Sequence, residues 1–156
     1  MEKKPITQKG MERLQEELKN LKEVKRPQII AQIAEAREHG DLKENAEYHA
    51  AREMQGFIES KISEIESLIA LSDVINPADF AGDEDIKFGA TVQLEDEENV
   101  RKKYTIVGET ESDVKSGLIA YNSPVASALI GKKVGETVEV RTPSGIKEFE
   151  IKSVSY

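Results

Sequence analysis

The residues best suited to chemistry fall in one short run between His39 and Tyr48, where Gly40 is followed by Asp41, Glu44 and Glu47. Asp41 and Glu44 are three residues apart, so at the start of a helix their side chains share the first turn. Two kinds of work fit that spacing. One is a capping box, in which Asp41 accepts from the Glu44 amide, Glu44 reaches back, and both charges are favoured by the helix dipole. The other is outward-facing carboxylates binding a hard cation such as Mg²⁺, which is held by one or two carboxylates while waters and phosphates complete its octahedron. Two exposed carboxylates alone bind such an ion weakly and need a partner that supplies the remaining ligands.

Arg37, Lys43 and Arg52 lie close to the same run and could together face a phosphate backbone, or be ordinary solvated helix charge. Tyr48 can stack on a ligand or pack against the turn. His39 and His49 make no zinc-ligand pattern.

The flanking sequence must carry this run. Met11, Leu14, Leu18 and Leu21 recur at steps of three and four, the a/d seam of a coiled coil, in a segment opened by Thr7 and Gly10. The phase breaks near Lys25 to Pro27, either as a kink or because Pro27 occupies the first turn of a separate helix. Ile30, Ile33 and Ala34 then resume the pattern. Gly40 tolerates the positive φ expected just past a helix end, and Asp41 is placed to cap the next helix. On the return, Met54, Ile58, Ile62, Ile65 and Ile69 form a matching stripe, broadened by Phe57 and Leu68. At 1.5 Å per residue, two arms of about 30 residues give a rod on the order of 45 Å long with carboxylates at its turn.

After the acidic stretch Pro77 to Asp85 the period changes to two. Strands are predicted over 91–94, 104–107, 117–121, 137–141 and 148–154, with a turn at Pro143 to Gly145. Ser123, Pro124 and Gly131 bracket one short helix as N-cap, first position and terminating glycine. The expected fold is therefore α+β in two domains: an antiparallel helical hairpin over 1–76, a linker over 77–85, and a small antiparallel sheet with one short helix over 86–156.

Composition agrees with an elongated chain. Of the 156 residues, 38% are hydrophobic and 33% charged, which leaves little interior for a single sphere. The net charge of −8 argues against independent or sequence-specific DNA binding, because phosphate affinity comes mainly from Lys and Arg. The absence of cysteine excludes disulfides and thiolate metal sites and suits a reducing cytoplasm. No signal peptide or run of membrane-spanning length is apparent, so no membrane partner is expected.

The run from Arg37 to Glu53, the stretch from Ser123 through Gly131, and the following residues to Glu136 resemble the GreA/GreB family of bacterial transcript-cleavage factors. The likeness extends over essentially the whole chain. It implies an N-terminal antiparallel coiled coil and an FKBP-like C-terminal domain. It further implies a non-enzymatic partner of RNA polymerase that docks at the rim of the secondary channel and activates the polymerase's own nuclease on the nascent RNA 3′ end. By that resemblance Asp41 and Glu44 are the catalytic tip acids, sharing Mg²⁺ with the polymerase and binding none stably alone. Arg37, Lys43 and Arg52 match the family's RNA-binding patch, and Ser123 and Pro124 fall in the polymerase-docking region.

Two other functions are compatible with parts of the chain. A channel-blocking inhibitor or coiled-coil adaptor would bind without promoting cleavage. A prolyl isomerase would need an apolar cleft, for which the C-terminal half offers Phe80, Phe88, Tyr104, Tyr121, Phe149 and Tyr156.

Overall fold

A computed structural model describes residues 3–156. The chain forms two compact units: Met11–Leu71, and the segment up to Gly10 together with Ser72–Tyr156.

The first unit is a helical hairpin. Helix α1 (Gln8–Asn20) runs into a π-helical stretch, Leu21–Lys25, and then into α2 (Arg26–Arg37). Both readings of Pro27 meet here. Pro27 sits in the first turn of α2, and the interruption before it is a widened turn in which the Arg26 amide donates to the Leu21 carbonyl, five residues back. Pro27 has no N–H to donate and its ring crowds the carbonyl four residues earlier; the π turn absorbs that misfit while the backbone stays helical.

Helix α3 (Ala46–Ala70) returns antiparallel to α2, as the order of the cross-links shows. Asn45 meets Ala36, Arg26 meets Glu59, and Lys22 meets Glu66. Arg26 grips Glu59 with two parallel hydrogen bonds of 2.7 and 2.9 Å, which hold the Glu59 carboxyl below the ordinary carboxylate range.

The seam is buried by Ile29 and Ile33 from one arm and by Ala51, Ile58 and Ile62 from the other. This differs in part from the expected stripes. Met54 is 50% exposed, Phe57 67% and Ile30 51%, while Ala34 is also exposed; Ala36 and Ala51 take inward positions instead. Small alanines near the turn let the two helices come close, and the larger side chains one step round the helix are left on its flank.

The second unit holds a five-stranded sheet of order β5-β4-β3-β7-β6, built from β3 (Thr91–Asp96), β4 (Arg101–Val107), β5 (Leu118–Ala120), β6 (Thr137–Thr142) and β7 (Gly145–Ser155). Four strands pair antiparallel as expected. The edge strand β5 pairs parallel to β4, because the connection between them is a crossover through two short 3₁₀ turns rather than a hairpin.

On β3 the period of two places Val92 and Leu94 in the core with no exposed surface, between the part-exposed Thr91 and Gln93. Helix α4 (Pro124–Leu129) covers the core through Ala126 and Leu129. A separate pair joins β1 (Lys4–Ile6) to β2 (Ser72–Val74) in parallel, so the chain on both sides of the hairpin returns to this unit. Within the stretch 77–85, Pro77–Phe80 forms a 3₁₀ turn and Asp85 bridges to Lys133.

Gly117 closes the crossover with φ of +78°, and a Cβ there would stand 2.8 Å from the Lys103 carbonyl oxygen. Gly117→Ala is expected to cost about 1–3 kcal/mol, read as a lower midpoint in thermal or urea unfolding.

Candidate functional site

Residues 38–45 connect α2 to α3, and the candidate acids stand on this turn. Gly40 takes φ of +109°, the left-handed conformation the sequence suggested just past a helix end. Asp41, Leu42, Lys43 and Glu44 are all exposed.

Asp41 does not cap α3: the helix begins at Ala46 and its N-cap is Asn45, whose Oδ1 accepts from the Tyr48 amide at 3.0 Å. Asp41 instead forms a local Asx turn, accepting from the Lys43 amide through Oδ1 at 3.0 Å. Glu44 has no hydrogen-bond or ion-pair partner among the described residues. The capping-box spacing is thus present without a capping box. Asn45 outcompetes Asp41 because its amide also donates to the Ala36 carbonyl at 2.6 Å, tying the last turn of α2 to the first of α3.

The turn is fixed from a second side by His49, whose ring lies 3.2 Å through Nε2 from the Lys43 carbonyl. A carbonyl can only accept, so Nε2 is the protonated nitrogen. The His49 ring meets Tyr48 edge-on at 5.5 Å between centroids.

Two of the three candidate cations share a flank of the hairpin with Tyr48. The Arg37 guanidinium sits 5.8 Å from the Tyr48 ring centroid. Arg52 follows Tyr48 by one helical turn and touches Gln55 at 3.4 Å. Both remain exposed while Tyr48 is half-buried against the seam. Tyr48 therefore both packs and presents a face, a combination its sequence position left open. Lys43 rises from the turn itself, beside the acids.

Ser123 and Pro124 belong to the other unit and meet their sequence expectation as N-cap and first residue of α4; Ser123 Oγ accepts from the Ala126 amide at 3.3 Å. Pro124 is exposed. The aromatic residues of that unit gather on its core in two edge-on pairs. Phe88 pairs with Tyr121, Phe80 pairs with Tyr156, and Phe149 is buried in the core against which Phe88, Tyr104, Tyr121 and Tyr156 pack. The Tyr156 hydroxyl is occupied, donating to the Asp85 carbonyl at 2.6 Å and accepting from the Lys87 amide at 2.8 Å.

Among the described residues no three His, Cys, Asp or Glu side chains come together to hold a metal, and no helix is long and apolar enough to cross a membrane.

An antiparallel helical hairpin that exposes two acids at its turn, joined to a separate unit built on a mixed sheet, defines a class of two-part protein. The chain belongs to the GreA/GreB transcription elongation factor family. Residues 4–74 match the family's model "Transcription elongation factor, N-terminal", and residues 81–156 match "Transcription elongation factor, GreA/GreB, C-term". Transcription elongation factor GreA of Jannaschia sp. is 59% identical, with all of this chain and 99% of that protein aligned. The GreA proteins of Cereibacter sphaeroides and Alkalilimnicola ehrlichii are each 55% identical over the same shares. Among solved structures, GreA factor homolog 1 of Thermus thermophilus is 25% identical, with 99% of each chain covered and a TM-score of 0.44.

Proposed function

We propose that the protein enters the secondary channel of bacterial RNA polymerase and stimulates the polymerase's own cleavage of the RNA 3′ segment in backtracked, arrested complexes, so that elongation resumes. The observation that carries this reading is the pair Asp41 and Glu44, exposed at the turn of the hairpin and free of the helix cap.

The donor set fits a shared Mg²⁺. Asp41 Oδ2 and both Glu44 oxygens are hard ligands without hydrogen-bond partners among the described residues, and two carboxylates leave most of an octahedron for other donors. When bound, the ion supplies stabilisation of the attacking and leaving oxygens of phosphoryl transfer. The chain's own residues do the rest. Asp41 is held by its bond to the Lys43 amide, Glu44 is exposed on the same turn, and either can accept from the attacking water and orient it. The protein is then an accessory to another enzyme's nuclease and holds no ion stably by itself.

Arg37 and Arg52 lie on one flank with Tyr48, a cationic and aromatic surface suited to single-stranded RNA, with Lys43 beside the acids. Ser123 and Pro124, at the exposed start of α4, are assigned to docking on the polymerase. Arg52→Ala is expected to raise the half-saturating protein concentration several-fold and to flatten the log–log salt dependence of the effect by about 0.7, the contribution of one phosphate contact on a single strand. Titration of cleavage at several salt concentrations checks both.

The whole reading is tested by RNA release. Polymerase is walked to a defined position, allowed to backtrack, and mixed with the protein; the expected result is rapid appearance of a short 3′ fragment and renewed extension. Binding that blocks nucleotide entry without releasing RNA would make the protein an occluding inhibitor.

A further inference from the structure

We infer that Asn45 is a positioning residue for the tip acids: through its two amide atoms it clasps α2 to α3 and so fixes where the turn bearing Asp41 and Glu44 stands. This rests on the role proposed above for those acids.

Both hydrogen bonds of the clasp are made at helix ends, and the one to the Tyr48 amide answers a need created there. The first amides of a helix and its last carbonyls have no partner within the helix. Asn45 Oδ1 takes the Tyr48 amide of α3 at 3.0 Å, while Asn45 Nδ2 gives to the Ala36 carbonyl of α2 at 2.6 Å. Ala36 is buried and its carbonyl also accepts the His39 amide at 3.2 Å. One side chain thus determines the span of the turn at both of its roots.

Serine, aspartate and threonine are also good caps, but none of them carries a donor beside the capping oxygen in the way asparagine does. The cap alone therefore does not explain asparagine here. Near-attack geometry is sensitive on the scale of an ångström, where a misplacement can cost about 100-fold. A turn hinged at two loose roots would still carry the acids without holding them to that tolerance.

Asn45→Ser separates the two tasks, since Ser keeps a cap acceptor, adds no charge and cannot reach Ala36 while capping. With backtracked polymerase, the plateau rate of RNA release at saturating Asn45→Ser protein is expected to fall at least tenfold, with the half-saturating concentration and helix content unchanged. A clasp that only stabilised the hairpin would instead lower helix content or shift half-saturation. Loss of helix in Asn45→Ser therefore overturns the inference, as does an unchanged plateau.

A second measurement does not depend on polymerase. The chain has no cysteine, so Leu42→Cys and Ser60→Cys provide unique spin-label sites, one on the turn and one on α3. The label-to-label distance distribution is expected to be narrow with Asn45 and broad with Asn45→Ser; equal widths overturn the clasp. Failure of the unsubstituted protein to release RNA counts against the functional reading instead, and the label distances still decide the clasp.

Discussion

Asp41→Asn is expected to lower the stimulated rate of RNA release by about 100-fold while leaving polymerase binding intact, the scale seen when a charge-stabilising group is taken from a reacting centre. The substitution is nearly silent structurally. Asn supports the same Asx turn, since its Oδ1 accepts from the Lys43 amide as Asp41 does at 3.0 Å. No helix cap is disturbed, because Asn45 holds that place. What changes is the second oxygen, which becomes an NH₂ that can neither carry charge nor ligate a hard cation. Competition between Asp41→Asn and the unsubstituted protein for the same polymerase, scored beside RNA release, separates lost chemistry from lost binding. Glu44→Gln is expected to act in the same direction.

Ile62→Ala is expected to cost about 2–5 kcal/mol, a large part of a small unit's stability. Ile62 is 3% exposed and packs in the seam with Ile29, Ile33 and Ile58. The hairpin has a narrow core, and a hole at its centre has few neighbours able to close it. Loss of the helical signal at a lower temperature checks this. Because the seam also sets the spacing of the helices beneath the turn, RNA release should fail at the temperature at which the hairpin opens, even with every tip residue in place.

Much of this architecture was legible because it rests on local chemistry. Met11 and Leu14 announce the first seam, Val92 and Leu94 the alternation of β3, and Ser123, Pro124 and Gly131 the bounds of α4. Each of these signals lies within a few residues of what it controls.

What escaped the sequence depends on partners far along the chain. The pairing of β1 with β2 joins Lys4 to Ser72, which neither segment advertises. Glu111 accepts from the Thr7 amide at 3.1 Å and from the Thr7 hydroxyl, across a separation of 104 residues. Thr7 in turn accepts from the Gly10 amide at 3.1 Å, so the start of α1, visible in the sequence as Thr7 and Gly10, is secured by a residue that was not.

The same holds at the candidate site. The acids and the turn were legible; the cap was not, because the choice of Asn45 over Asp41 is made by the Ala36 carbonyl on the opposite helix. On α3, Met54 and Phe57 fit the helical period as well as Ala51 does. Only the closeness of α2 decides that alanine faces inward.

The central claim is that side chains at the turn of the hairpin help hold an ion in another protein's catalytic centre. Its most direct test is a magnesium titration of RNA release from one backtracked complex, with the unsubstituted protein and with the Asp41→Asn/Glu44→Gln double variant, each at saturation. The unsubstituted protein should shift the half-maximal Mg²⁺ concentration at least tenfold lower than polymerase alone, and the double variant should bind yet leave it where polymerase alone sets it. Equal Mg²⁺ midpoints for all three, with cleavage still stimulated, would contradict the account.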